Sequence, residues 1–354
     1  MEEEDCPLGN GKVSLFAIRW QRLSSHALSI ASPQPRTPFW LWPHVLSLEA
    51  PLVAMLWLAA LARLNDFTLM PGVLSGLGLA VWLIYLADRV MDTLGVPVET
   101  LSIRHRFYHR HRWPILLRVM PVGLGMLVWI SLWVIPAGLL AHSLAQVIPI
   151  AIYLVLYSIT SLTMRRWMLQ AGVLLVLLFV NALPLSLGLR ITISMLIASG
   201  SALMLTLRWH ENIGQFFRKE LAAGLLFAFG CTTWTRLHTL GAEGPENWVE
   251  LILLAMLFVS NLALITAQEE GPSTASPSAR GTVISALVIT LLTLAAIPQG
   301  YLSATMLPLT LAVGAGLIGL ELLRQNRHRL SPEGFRVFAD IIVTLPAIIL
   351  VVQP

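Results

Sequence analysis

Asp88 and Asp92 stand four residues apart in IYLADRVMD, at the end of a long apolar run. On a helix that spacing puts both carboxylates on one face. An ionised aspartate costs about 3 kcal/mol in the middle of a bilayer, so a pair at a membrane surface calls for a partner or a function. Binding a divalent cation is one function that suits it. Mg2+ takes one or two carboxylates and fills its other positions with water and phosphate oxygens. The same two residues would also serve simply to mark where a helix leaves the bilayer, with Asp88 paired to Arg89 or to an arginine beyond it. The next polar segment, RHRFYHRHR, carries Arg104, Arg106, Arg110 and Arg112 with His105, His109 and His111 between them. Read as a basic loop beside two acids, it suits a cation and a phosphate together. The histidines alone would suit a transition metal, but four arginines repel a cation, and contact with anionic headgroups or a substrate phosphate fits better.

The elements that must position these residues are membrane helices. Hydrophobic residues make up 56% of the chain and charged residues 12%, against roughly a quarter charged in a soluble domain, and the mean hydropathy is +0.75. The sequence predicts an all-α polytopic bundle. Residues 1–45 read as an N-terminal segment with an interfacial helix over Val13–Ile30. MEEED is acidic and no apolar core follows it, so the start does not read as a secretory signal. From residue 46 to 354 about eleven apolar runs reach spanning length. They cover approximately Leu46–Leu64, Gly72–Met91, Ile115–Leu140, Ser143–Leu162, Leu169–Leu189, Ile191–Leu207, Leu221–Leu240, Trp248–Ala267, Thr282–Pro298, Leu302–Leu323 and Phe335–Val352. Ser331 and Pro332 form a helix-start signature before the last.

Of the 23 basic residues, twenty fall on one side of this threading and only Arg63, Arg190 and Arg236 on the other. The positive-inside rule then makes the N-terminus cytoplasmic and puts DRVMD on the cytoplasmic face. The expected location is a multi-pass position in a bacterial inner (plasma) membrane. Cys6 and Cys231 give neither a disulfide framework nor a zinc pattern. HENIG lacks the second histidine of a zinc protease, and no phosphate-binding loop, dinucleotide fingerprint or GxSxG elbow occurs. Basic charge here serves topology, so no nucleic-acid partner is expected.

A second acidic end lies on the same face. In SNLALITAQEE, Asn261, Ile265 and Glu269 share one stripe, with Glu270 adjacent. Two such ends facing across one cavity would clamp a diphosphate between metal ions; alternatively, Glu269 and Glu270 merely open a polar loop. Arg336 and Asp340, at i and i+4 in the last run, read either as a pair with each other or as cavity-lining groups. Lys219, one of two lysines, reads as a point charge for phosphate, and its neighbour Glu220 suits a helix start.

On these residues the chain resembles the UbiA superfamily of intramembrane prenyltransferases, whose pattern is a nine-helix bundle with NxxxDxxxD after the second helix and DxxxD after the sixth. Asp88 and Asp92 match the first motif, while its asparagine falls on Ile84. The second motif reads Asn261, Ile265, Glu269. The eleven runs become nine if Leu169–Leu207 is an inserted hairpin. The resemblance implies transfer of a polyprenyl group from its diphosphate to an acceptor, often aromatic, with Mg2+ on Asp88 and Asp92 and on Glu269 and Glu270. It also implies that Arg89, Arg104, Arg106 and Lys219 neutralise the diphosphate. Trp82 and Tyr85 are candidate cavity-lining π-faces beside Asn261, Arg336 and Asp340, or else packing residues. The competing expectation is a non-catalytic or transport-type protein that keeps the bundle without the full metal site.

Overall fold

The computed structural model describes residues 39–93, 103–158, 218–238, 245–269 and 277–353, with scattered positions from 167 to 199. The segment 13–30, the hairpin 169–207 apart from those positions, and Glu270 lie outside the described residues. The chain divides into Met1–Trp42 and Pro43–Pro354. In the first unit a 3-10 turn covers Phe39–Leu41.

In the second unit every regular element among the described residues is helical. They are α1 (Glu49–Leu64), α2 (Pro71–Asp92), α3 (Ile103–Pro114), α4 (Met120–Trp133), α5 (Ala137–Ser158), α6 (Lys219–His238), α7 (Pro245–Glu269), α8 (Pro277–Ala296), α9 (Met306–Gln325) and α10 (Pro332–Val352). Among the described residues six helices are long and apolar enough to cross a membrane: α2, the continuous Arg104–Trp133, α7, Ala279–Ala296 in α8, α9 and α10. The protein is a multi-pass helical membrane protein.

Helix ends follow local chemistry. Pro71 starts α2, where its missing N–H is no loss. Ser331 caps α10 by accepting from the Gly334 N–H at 3.1 Å, with Pro332 next. The basic segment corrects the sequence expectation: RHRFYHRHR is not a loop but the helix α3, joined to α4 through a π-helical turn, Ile115–Val119. There the Met120 N–H bonds to the Ile115 carbonyl five residues back, just before Pro121, which has no N–H to continue the ordinary ladder. A second correction concerns the run Ile115–Leu140. It breaks at Val134–Pro136 and α5 begins at Ala137, because the residue before a proline is pushed out of the helical region.

The core centres on α7, which packs against α6, α8, α9 and α10. Its Leu253, Leu254 and Leu257 are wholly buried. Trp57 of α1 is buried too; it donates to the Val343 carbonyl of α10 at 3.1 Å and meets Phe258 of α7 edge-on. Gly224 lets α6 close on α7: a Cβ there would lie 2.8 Å from the Val259 backbone nitrogen. The outer layer is different. In α4 only Gly123 and Ile130 are buried, and its apolar side chains face outward as a lipid-contacting helix requires.

Candidate functional site

The antiparallel course of these helices brings the C-terminal ends of α2 and α7 beside the N-terminal ends of α1, α3, α6 and α10. Asp88 and Asp92 occupy the last turn and a half of α2, and Lys219, the first residue of α6, reaches both. Its Nζ lies 3.1 Å from Asp88 Oδ1 and 3.2 Å from Asp92 Oδ1. On the other side Arg89 Nη1 lies 3.1 Å from Asp92 Oδ2 and 3.7 Å from Asp88 Oδ2. His105 Nε2 stands 3.9 Å from Asp92. Each carboxylate thus has one oxygen turned to a lysine and one to an arginine. The two Oδ1 atoms converge on a single cation position, which the Lys219 ammonium takes. Converging oxygens of this kind fit a divalent cation, whose remaining ligands would be water and phosphate. Among the described residues no three of His, Cys, Asp and Glu converge as a metal-binding group, so such a site would rest on the carboxylate pair.

Beside this cluster is a cavity of about 70 Å³ lined by Ser47, Glu49, Tyr85, Arg89, Arg104, Asn261, Arg336 and Asp340, with Phe227, Phe258, Ile265 and Val343 among its apolar wall. Arg336 turns to Glu269 at the end of α7, and Asp340 Oδ1 accepts from Asn261 Nδ2 at 3.0 Å. The expected pairing of Arg336 with Asp340 is therefore not made: each reaches across to α7, where a better-placed partner stands. Glu49 Oε2 contacts His44 Nδ1 at 2.7 Å. Burial, with the charges of Arg104 and Arg336 adding to it, pushes the His44 imidazole down to about 3. It is therefore neutral, and its Nδ1 shares one hydrogen bond with Glu49.

The structure brings Asp88, Arg89, Asp92 and Lys219 into one cluster, and Tyr85, Arg104, Asn261, Arg336 and Asp340 into the cavity wall. Glu269 joins the wall through Arg336. The two acidic helix ends thus meet the cavity through arginines, Arg89 on one and Arg336 on the other. Arg106 is exposed on α3, away from the buried Arg104 face. Trp82 is a packing residue. Its Nε1 donates to the Leu46 carbonyl at 3.1 Å, and its ring packs on Leu86, Val90, Tyr108 and Ile115. Tyr85 faces the cavity, with the Arg89 guanidinium 5.8 Å from its ring centre.

Sequence reasoning missed Glu49 and His44. Glu49 sits in SLEAPL as a lone acid at a helix start, which the helix dipole alone would explain. Its cavity neighbour Asp340 lies nearly three hundred residues away, so no spacing marks the pair.

No protein-family model, no curated protein and no solved structure matches this chain. The functional reading rests on the geometry.

Proposed function

We propose that the chain is an integral membrane prenyltransferase of UbiA-like design. It would take a polyprenyl diphosphate at the cytoplasmic face of a bacterial plasma membrane and transfer the prenyl group to an acceptor. The observation that carries this reading is the convergence of Asp88 Oδ1 and Asp92 Oδ1 on one cation position, beside a cavity walled by arginines and aromatic rings. In this reading α1, α2, the α3–α4 helix and α5 to α10 are the nine-helix core, and 169–207 is an inserted hairpin that preserves the orientation of the rest.

Asp88 and Asp92 would hold Mg2+, which supplies charge neutralisation on the leaving diphosphate. Lys219, which holds both carboxylates in the structure, would face the phosphate oxygens with that cation in place. Arg89 stays on the outer carboxylate oxygens and fixes the pair. Tyr85, Phe227 and Phe258 give the reacting end of the prenyl chain an apolar wall that excludes water. Glu269, held by Arg336, and Glu270 are the remaining candidates for a second cation.

One observation favours a second reading, a transport-type or non-catalytic protein built on the same bundle. The second acidic motif is engaged within the protein, Asn261 with Asp340 and Glu269 with Arg336. Binding of farnesyl or geranylgeranyl diphosphate to the purified protein, with and without Mg2+, separates the two. Mg2+-dependent binding that disappears in Asp88→Ala and Asp92→Ala supports the enzyme. Binding indifferent to metal and to both substitutions supports the second reading.

A further inference from the structure

Among the described residues Arg104 is the charge with the most unanswered buried donors. It projects from the first turn of α3 into the cavity, is only 6% exposed, and its Nε and Nη2 are buried with no hydrogen-bond partner among the described residues. Those two atoms form one edge of the guanidinium, the edge that presents two parallel N–H donors to a carboxylate or phosphate. Buried donors are ordinarily satisfied, and a buried charge more so. The other arginines of the wall hold carboxylates: Arg336 that of Glu269, Arg89 those of Asp88 and Asp92. In the same lining, on α7, Asn261 donates to Asp340 while its Oδ1 is buried and unpaired. The cavity therefore offers a two-donor fork and an acceptor from different helices.

We infer that Arg104 is the anchor of a second binding site, for a single oxoanion whose two oxygens lie along its Nε–Nη2 edge; a ligand that also carries a hydrogen-bond donor satisfies Asn261 as well. The cavity of about 70 Å³ has room for roughly five water-sized groups, the scale of a carboxylate or phosphate headgroup. It is smaller than a diphosphate with its cations. This site is separate from the Asp88–Asp92 cation position and does not depend on the prenyl-transfer reading. Its ligand is either a small soluble carboxylate or phosphate, or the phosphate of an anionic lipid entering from the surrounding membrane.

The test is thermal stabilisation of the purified protein in a neutral detergent and chloride buffer, titrated with acetate and with inorganic phosphate, and repeated in nanodiscs of phosphatidylglycerol against phosphatidylcholine. Saturable stabilisation by acetate or phosphate, weakened tenfold or more in Arg104→Lys, identifies a soluble oxoanion; the lysine keeps the charge and loses the fork. A response confined to phosphatidylglycerol and lost in Arg104→Lys identifies a lipid headgroup. No response to any probe, or equal responses in wild type and Arg104→Lys, overturns the inference. Should Arg104→Lys fail to fold, phenylglyoxal labelling of the wild type decides. The effective probe slows modification at Arg104 several-fold and leaves the exposed Arg106 unaffected, and equal rates at Arg104 with and without probe overturn the inference. Asp92→Ala keeps the oxoanion response while losing Mg2+-dependent prenyl diphosphate binding, so failure of one proposal is visible independently of the other.

Discussion

At the end of the bundle where α6 finishes and α7 begins, Glu250 is 4% exposed and each of its oxygens accepts a hydrogen bond, Oε1 from the Thr235 hydroxyl at 2.7 Å and Oε2 from Asn65 at 3.3 Å. The nearby Arg236 lies between the rings of Phe229 and Trp248, 4.7 and 4.6 Å from their centres. At the opposite end Arg104 is as deeply buried, and two of its donors are unanswered. Both ends bury charge: Glu250 has both of its carboxylate oxygens answered, whereas Arg104 has two donors that are not. A buried polar group whose partners are all present acts as a fastening between helices. One whose partners are missing has been kept at a cost to stability, and the usual reason is a ligand. The carboxylate pair of α2 lies between these cases, fixed by Arg89 on its outer oxygens and balanced by Lys219, a cation able to exchange.

The comparison is sharpened most by Asp92→Ala. Halving the carboxylate pair should weaken Mg2+-dependent prenyl diphosphate binding about a hundredfold, roughly 2.7 kcal/mol, with little change in unfolding; calorimetric titration reads it. At the other end Glu250→Ala should do the reverse. It leaves the Asn65 amide and the Thr235 hydroxyl without their acceptor, which costs about 2 kcal/mol of stability, while binding is unchanged. Denaturant unfolding in detergent measures the first and the same titration the second.

A smaller effect concerns pH. His44 is held at about 3 in the folded protein against 6.5 when unfolded. Between those values the unfolded chain binds a proton that the native one refuses. Stability is therefore complete above pH 6.5 and is lost progressively as pH falls towards 3. Melting temperatures between pH 7 and 4 should fall less steeply in His44→Gln than in wild type.

Much of the fold was legible in local pattern, and less of the site. Asp88 and Asp92 were readable because their chemistry is carried by a spacing within one helix, and the start of α10 because Ser331 and Pro332 act on their own turn. The break at Val134–Pro136 was not, because apolar residues run through it without a polar interruption. The basic segment read as a loop because its charges hide the helical face. Arg104 and Tyr108, at i and i+4, are both buried, and the Tyr108 hydroxyl is 3.0 Å from Ser47 Oγ. That spacing was the available signal. Lys219 showed only as a rare lysine, since its partners come from α2, more than a hundred residues earlier. The exchanges of Arg336 to Glu269 and Asp340 to Asn261 were invisible for the same reason: a helix-local pairing rule does not see a neighbour that packing supplies.

The smallest effect gives the most direct test of the claim that one end of the bundle is a fastening and the other a site. Unfolding of wild type, Glu250→Ala and Arg104→Met should be measured side by side, in one detergent and without added oxoanion. Removing a buried charge whose donors are unanswered should leave stability unchanged or raise it by up to about 1 kcal/mol, while Glu250→Ala lowers it. If Arg104→Met is destabilised as much as Glu250→Ala, Arg104 is already satisfied within the protein, and the two ends do not differ in kind.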